Sequence, residues 1–197
     1  MTRITTLTLT REDHQYTSVP MPGANASLSM LRLGSARGAF TLHGHFPAGF
    51  DRTVPGGYHV SEEFLLLEGE LEFDGRMLRP GDLTYVPAHY LRTRMASKTG
   101  CTVLAWFGGP AVFVPAGEFD DAVHAGVESV SVLNPTVSGL LETPESKWVA
   151  HPGGTDAAFW PVTGDVLSAG LTEWARFPDA GVASPPSGAY LARIELG

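Results

Sequence analysis

Cysteine occurs once among the 197 residues, at Cys101. A single thiol closes no internal disulfide and anchors no cysteine-based metal site. Basic residues are scarce too: 13 Lys and Arg stand against 21 Asp and Glu, a formal net charge of −8 at pH 7. Nucleic-acid binding needs clustered Lys and Arg to neutralise phosphates, and docking on an anionic membrane needs the same charge. Neither partner is expected. Residues 1–11 hold no apolar core of signal-peptide length, and no run approaches about 18 apolar residues, so the expectation is a soluble, cytoplasmic protein. Three catalytic signatures are also missing: a glycine-rich phosphate loop opening a helix, Gly-x-Ser-x-Gly, and His-Glu-x-x-His.

Glycine and proline are abundant, 38 of the 197 residues, against an average usage of about 12%. A long helical bundle does not tolerate that many breakers. Hydrophobic residues at 43% and charged residues at 17% supply a core. Together these predict a turn-rich, all-β chain of ordinary domain size.

The pattern of apolar alternation and turn residues predicts the elements. Strands are expected at Arg3–Thr10, Ser27–Leu33 and Ala39–Phe46, with loops at Asp13–Asn25 and Pro47–Gly57. Glu63–Leu67 and Glu70–Phe73 follow as short strands. Asp74-Gly75 is the preferred pair for a two-residue hairpin turn. Arg79-Pro80-Gly81-Asp82 fits a type II turn, because glycine accepts positive φ at the second central position. Leu83–Val86 is a strand closed by Pro87. Leu91–Met95 and Cys101–Phe107 read as a hairpin around Lys98-Thr99-Gly100. Glu118–Ala125 reads as one short helix. Further strands are expected at Glu128–Leu133, Ala157–Val162, Leu171–Phe177 and Tyr190–Leu196. Pro22-Gly23, Phe46-Pro47, Pro55 and Gly57 find a shadow at Pro152-Gly153, Phe177-Pro178, Pro186 and Gly188, an internal-repeat candidate carried mostly by turn residues.

The stretch Gly57-Tyr58-His59-Val60-Ser61-Glu62-Glu63 through Gly69 resembles the first motif of the cupin superfamily. That motif is G-x5-H-x-H, then three or four residues, a Glu, six more and a Gly. Arg79-Pro80-Gly81-Asp82 through Pro87-Ala88-His89-Tyr90-Leu91-Arg92 resembles the second, G-x5-P-x-G-x2-H. The similarity spans roughly residues 22–115 and is nearest to the cupin domains of anti-sigma factors and acetylacetone dioxygenase-like proteins. It implies a cupin-type antiparallel β-barrel, jelly-roll-like, with extra N-terminal strands, an interior site and a homodimer. Residues 1–115 would then form the barrel, and 116–197 a C-terminal extension or a truncated second repeat.

In such proteins two histidines and a glutamate of the first motif and a histidine of the second hold a divalent metal. Here the four positions read Gly57, His59, Glu62 or Glu63, and Arg92. Counting back from Gly69 selects Glu62, and counting forward from His59 selects Glu63. Arginine is permanently cationic and cannot ligate, so the ligand set is incomplete and a metal at His59 and Glu63 needs helpers. His43 and His45 lie two apart on a strand and share a face. If that face is interior they complete a site; if exterior they are surface residues. Without metal, His59 and Glu63 suit acid–base work, Arg92 suits an oxyanion, and Tyr58, Glu62, His43 and His45 line the pocket. Alternatively Arg92 is a buried ion-pair partner of Glu62 or Glu63. His89 sits at a turn position that normally holds glycine. Cys101 reads as a buried, inert thiol, and Trp106, Phe107 and Phe113 as packing residues. The leading expectation is an enzyme acting on a carbonyl- or hydroxyl-bearing small molecule by isomerase-, cyclase- or lyase-like chemistry. The alternatives are a non-catalytic ligand-binding or regulatory protein, and a metal-dependent dioxygenase.

Overall fold

A computed structural model of the chain describes residues 6–9, 14–36, 39–133, 139–151, 164–177 and 189–196. Among them no α-helix is present, and the regular structure is strand with one 3-10 turn at Ala116–Glu118. No helix is long and apolar enough to cross a membrane. The expected strand Ala157–Val162, and Pro152, Gly153, Pro178, Pro186 and Gly188 of the repeat candidate, lie outside the described residues. The contacts divide the chain into two units, residues 14–129, and residues 1–13 with 130–197.

In the first unit a seven-stranded antiparallel sheet runs in the order Glu128–Ser131, Asp82–Val86, Glu62–Gly69, Cys101–Phe107, Ala39–Phe46, Ser27–Ala36 and Thr17–Pro20. A four-stranded sheet is ordered Phe50–Arg52, Met95–Ser97, Leu71–Phe73 and Arg76–Leu78. The core is made by alternation. Leu42, Phe46, Phe64, Leu66, Val103, Ala105 and Phe107 from the large sheet join Phe50, Leu71, Phe73, Leu78 and Met95 from the small one. Gly56–Gly57 pairs with Val114–Pro115 as a two-stranded patch. This is the jelly-roll-like, antiparallel architecture that the turn spacing predicts.

The turns form as their residues demand. Asp74 and Gly75 both take positive φ, 47° and 78°, the geometry of a type I′ turn. Gly81 adopts φ 89° and Asp82 N donates to Arg79 O at 2.9 Å.

Three expectations are corrected. Cys101–Phe107 does not form a hairpin with the strand before it. It pairs with Glu62–Gly69 and Ala39–Phe46, while Met95–Ser97 crosses to Phe50–Arg52 and Leu71–Phe73. The all-buried run Cys101–Phe107 can bury both faces only at the centre of the larger sheet. Thr17–Pro20, expected as loop, is an edge strand on Ser27–Met30, a position that accepts proline. Glu118–Ala125 is not a helix. Phe119 is buried at 4% exposure, and Val123 bridges Tyr90 in parallel. Eight residues between Gly117 and Gly126 are too few for a helix to outweigh those contacts.

The second unit is a six-stranded antiparallel sheet ordered Thr6–Thr8, Glu173–Phe177, Gly164–Ser168, Tyr190–Glu195, Ser146–His151 and Gly139–Glu142. The N-terminal strand thus pairs with residues late in the chain, Leu7 opposite Trp174. Val149, Val166, Tyr190 and Ala192 cluster together. The register sets Asp165 between Arg176 and Arg193.

Candidate functional site

The strand Glu62–Gly69 decides which side chains enter the core of the first unit. Phe64 and Leu66 belong to the core, so Glu62 shares their face and Glu63 takes the other. The register agrees. Glu62 lies opposite Val86 and Phe107, and Glu63 opposite Tyr85 and Trp106. Both glutamates are buried, at 8% and 2% exposure, but on opposite faces of the sheet.

Tyr58 belongs to the core cluster as well. Residues 56 to 59 alternate. A Cβ on Gly56 would strike Phe113, and one on Gly57 would strike Tyr90 O and Phe119. Tyr58 stacks edge-on to Phe107 and Phe113, whereas His59 lies against Phe119. Gly56 and Tyr58 therefore go with the interior, and Gly57 and His59 with Phe119. Three residues separate Tyr58 from Glu62, as the resembling motif allows. Glu62, not Glu63, is thus the glutamate on the face of the core, with Tyr58.

Arg92 meets Glu62 inside. Its NH1 is 2.7 Å from Glu62 Oε2, with side-chain exposures of 3% and 11%. The contact is an ion pair rather than a hydrogen bond, and Arg92 Nε also lacks a hydrogen-bond partner. The Arg92 guanidinium lies 4.5 Å over the Tyr58 ring and 5.8 Å from that of Phe73, favourable cation–π placements.

Arg52 was not anticipated. It falls in the irregular connection Pro47–Gly57, but Phe50 and Arg52 form a strand in which both are buried. Period-two alternation carries Arg52 inward beside Phe50, the one sequence signal that points to it. Arg52 is 0% exposed, its guanidinium bonds no carboxylate, and the Tyr58 hydroxyl is the polar group that faces it. Its guanidinium lies 4.8 Å over the Phe113 ring. Burial holds its pKa below the ordinary value and Arg92 adds to this, against Tyr58, Glu62 and Asp74. Burial also raises the Tyr58 hydroxyl, with Glu62 adding and Arg92 and Arg52 opposing, so Tyr58 is a neutral phenol. The interior assembled from these residues holds two guanidiniums, the Glu62 carboxylate and one phenol, with the Asp74 carboxylate nearby.

A divalent metal does not fit here. Gly56 and Gly57 offer no ligand, Arg92 and Arg52 are cations, and only Glu62 and the neutral Tyr58 remain as oxygens. Metal sites want three or four anionic or neutral donors.

The other expected residues lie elsewhere. His43 and His45 share a face, as their spacing requires, but Leu42 and Phe46 on either side of them are the core residues. The histidines face away from that core. Tyr16 Oη is 2.7 Å from His43 Nδ1, and Thr102 Oγ1 is 2.8 Å from His45 Nδ1. They do not meet His59, whose ring contacts are His89 and Phe119. Nor does His59 meet Glu63. Cys101 is buried and burial pushes its thiol up to about 12, so it stays protonated and inert at neutral pH. Trp106 and Phe107 are buried in the sheet.

His43 gives a pH prediction. Burial first, then His45 and His14, lower its pKa from 6.5 to about 4. The unfolded chain therefore binds a proton there that the folded chain resists. Stability is full above the unfolded value and falls as pH drops towards the folded one, by a total of about 3 kcal/mol. Urea unfolding of the wild type between pH 7 and pH 4 is expected to show that slope, and His43→Gln to flatten it. An equal slope in both proteins would assign the loss to other groups.

No protein-family model and no curated protein matches the chain. Solved structures do match. The E. coli protein Ylba, of DUF861, aligns over 97% of this chain and 90% of its own, at TM-score 0.59 and 11% identity. A Nostoc punctiforme protein described as a candidate dioxygenase aligns over 91% and 77%, at TM-score 0.63 and 11% identity. A deletion mutant of the Bacillus subtilis oxalate decarboxylase OxdC aligns over 99% and 78%, at TM-score 0.51 and 10% identity. These are cupin-fold proteins, and the chain has the cupin fold. Likeness at such identities carries the architecture and not the chemistry.

Proposed function

We propose that the interior of residues 14–129 binds a small organic anion, a carboxylate or the enolate of a carbonyl compound, and performs acid–base chemistry on it. The observation that carries this is Arg52, fully buried with no carboxylate in hydrogen-bond contact and the neutral Tyr58 hydroxyl as its polar neighbour. A buried charge without a counter-charge costs several kcal/mol, and an oxyanion offers the planar, bidentate partner that a guanidinium matches best. Glu62 and Asp74 act on Arg52 only at longer range, so its charge has no directly bonded counter-ion. Phe113 covers Arg52, so an anion reaching it displaces that ring. Glu62 is the proton acceptor in this reading, Tyr58 the neutral hydrogen-bond donor, and Arg92 the residue that positions Glu62.

A second reading, binding without turnover, draws on the 2.7 Å contact that ties Glu62 to Arg92. A carboxylate so held must leave its ion pair before it takes up a proton. A homodimer is part of either proposal, and light scattering of the purified chain reads its mass directly.

The test uses a panel of 2-oxo and 3-oxo carboxylates. These are expected to raise the melting temperature of the wild type, and deuterium from solvent is expected to enter the carbon next to the carbonyl. Arg52→Met is expected to abolish the thermal shift while making the ligand-free protein about 1–4 kcal/mol more stable, because the uncompensated charge is gone. Loss of stability in Arg52→Met with no ligand response in the wild type would make Arg52 structural and overturn the proposal. A thermal shift without deuterium uptake would select binding over catalysis.

A further inference from the structure

Outside the interior, three loops bring together a second constellation. His59 Nδ1 and His89 Nδ1 are 3.3 Å apart, and His89 Nδ1 is 2.7 Å from Asp121 Oδ2. One ligand atom from each of the three residues lies within 4.8 Å of the other two. The loops are stitched by backbone bonds. His89 N donates to Tyr58 O at 2.8 Å, Val123 N to His89 O at 2.9 Å, and Leu91 N to Val123 O at 2.9 Å. The buried Phe119 ring lies beneath both imidazoles, nearly parallel to His89 at 5.8 Å and tilted 5.1 Å from His59. His89 itself has φ 65°, a left-handed conformation uncommon for any residue but glycine. Strain of that kind persists where the surroundings impose it, and it gathers at ligand sites.

We propose that His59, His89 and Asp121 bind a divalent transition-metal ion on the outside of the barrel, leaving at least one coordination position open to water. Two imidazoles and one carboxylate suit Zn2+, Co2+ or Ni2+, not Mg2+ or Ca2+, which prefer all-oxygen shells. The spacing between the two imidazoles suits a tetrahedral ion. Bonds of about 2.0–2.1 Å place neighbouring ligands about 3.3 Å apart, the separation already present between the two imidazole nitrogens. The His89–Asp121 contact opens by roughly half an ångström to admit the ion. Both nitrogens must offer lone pairs, so a proton on His89 Nδ1 moves to Nε2, or to solvent if the ring was charged. Three ligands with exposed flanks leave the remaining position accessible, as in zinc sites that act on bound water. The site is separate from the interior, because Tyr58 belongs to the core cluster whereas His59 is exposed and lies against Phe119.

The experiment titrates chelator-treated, tag-free protein with Co2+ and follows the visible absorption of the bound ion, with Zn2+ as competitor. Wild type is expected to bind one ion per chain. His59→Gln, Asp121→Asn and His89→Gly are each expected to weaken binding at least about tenfold. His89→Gly suits the positive φ and therefore keeps the fold, which circular dichroism checks. His124→Gln, a histidine outside the constellation, and Arg52→Met are expected to bind like wild type. The second separates this proposal from the one for the interior. No stoichiometric uptake by the wild type, or equal uptake by the His89→Gly and Asp121→Asn variants, overturns it.

Discussion

Glu62→Gln is expected to cost about 3–5 kcal/mol of stability, because it leaves the buried Arg92 without its counter-charge. Arg92 NH1 stands 2.7 Å from Glu62, and the two side chains are 3% and 11% exposed. Arg52 is buried among the same residues, so the variant would hold two guanidiniums with no carboxylate touching either. The size of the effect reflects what remains behind rather than what the pair contributes. Replacing both partners, as in Glu62→Met with Arg92→Met, is therefore expected to be neutral or stabilising by up to about 4 kcal/mol. Urea unfolding of the wild type, both single variants and the double variant measures this as a cycle. A loss below about 1 kcal/mol in Glu62→Gln would mean that water screens the pair like one on the surface. Glu62 would then be free to act as a base without breaking an ion pair.

The second large effect concerns the C-terminal sheet. Asp165 is 0% exposed and accepts from Trp174 Nε1 at 3.0 Å and from Arg176 NH1 at 3.1 Å. Arg193 NH1 is 3.8 Å away. The strand register makes this inevitable, since Arg176 and Arg193 lie directly opposite Asp165 on its two neighbours. Asp165→Asn keeps the indole bond and the shape but removes the charge between two buried guanidiniums. Glu195, also in contact with both arginines, offsets part of the loss. The expected cost is about 3–5 kcal/mol. Amide hydrogen exchange is expected to quicken in 164–168, 173–177 and 190–195, with little change in 62–69. Unchanged exchange in those three strands would show that Glu195 alone suffices for both arginines.

The two clusters look alike chemically and differ in what they leave unmet. In the C-terminal sheet every guanidinium reaches a carboxylate. In the interior of residues 14–129 Arg52 reaches none by a hydrogen bond. Under the reading proposed above, the place without a bonded counter-charge is where the anion would bind. The fold supports such a role without specifying it.

Much of this was legible from residues alone. Asp74-Gly75 and Arg79–Asp82 set their turns because local sterics at positive φ need no tertiary help. Ala39–Phe46 was bounded by its own alternation, and the sharing of one face by His43 and His45 followed from strand geometry. The sequence allows Arg92 either a substrate oxyanion or a buried ion pair with Glu62 or Glu63, and the structure holds the pair with Glu62. Other decisions lay beyond the sequence. Strand periodicity is two, so a slip of one residue turns every side chain to the other face. Gly56-Gly57 carry no side chain to report the phase, and only the packed structure shows that Tyr58 and Glu62 enter while His59 and Glu63 do not. Strand partners were equally hidden, because pairing of Cys101–Phe107 is settled by which sheet can bury both its faces. The meeting of His59, His89 and Asp121 depends on three loops separated by some thirty residues each. Local chemistry thus determined the turns, the strands and the face-sharing pairs. Tertiary packing alone decided which face was inside, since burial is a property of the assembled sheets and not of any one strand.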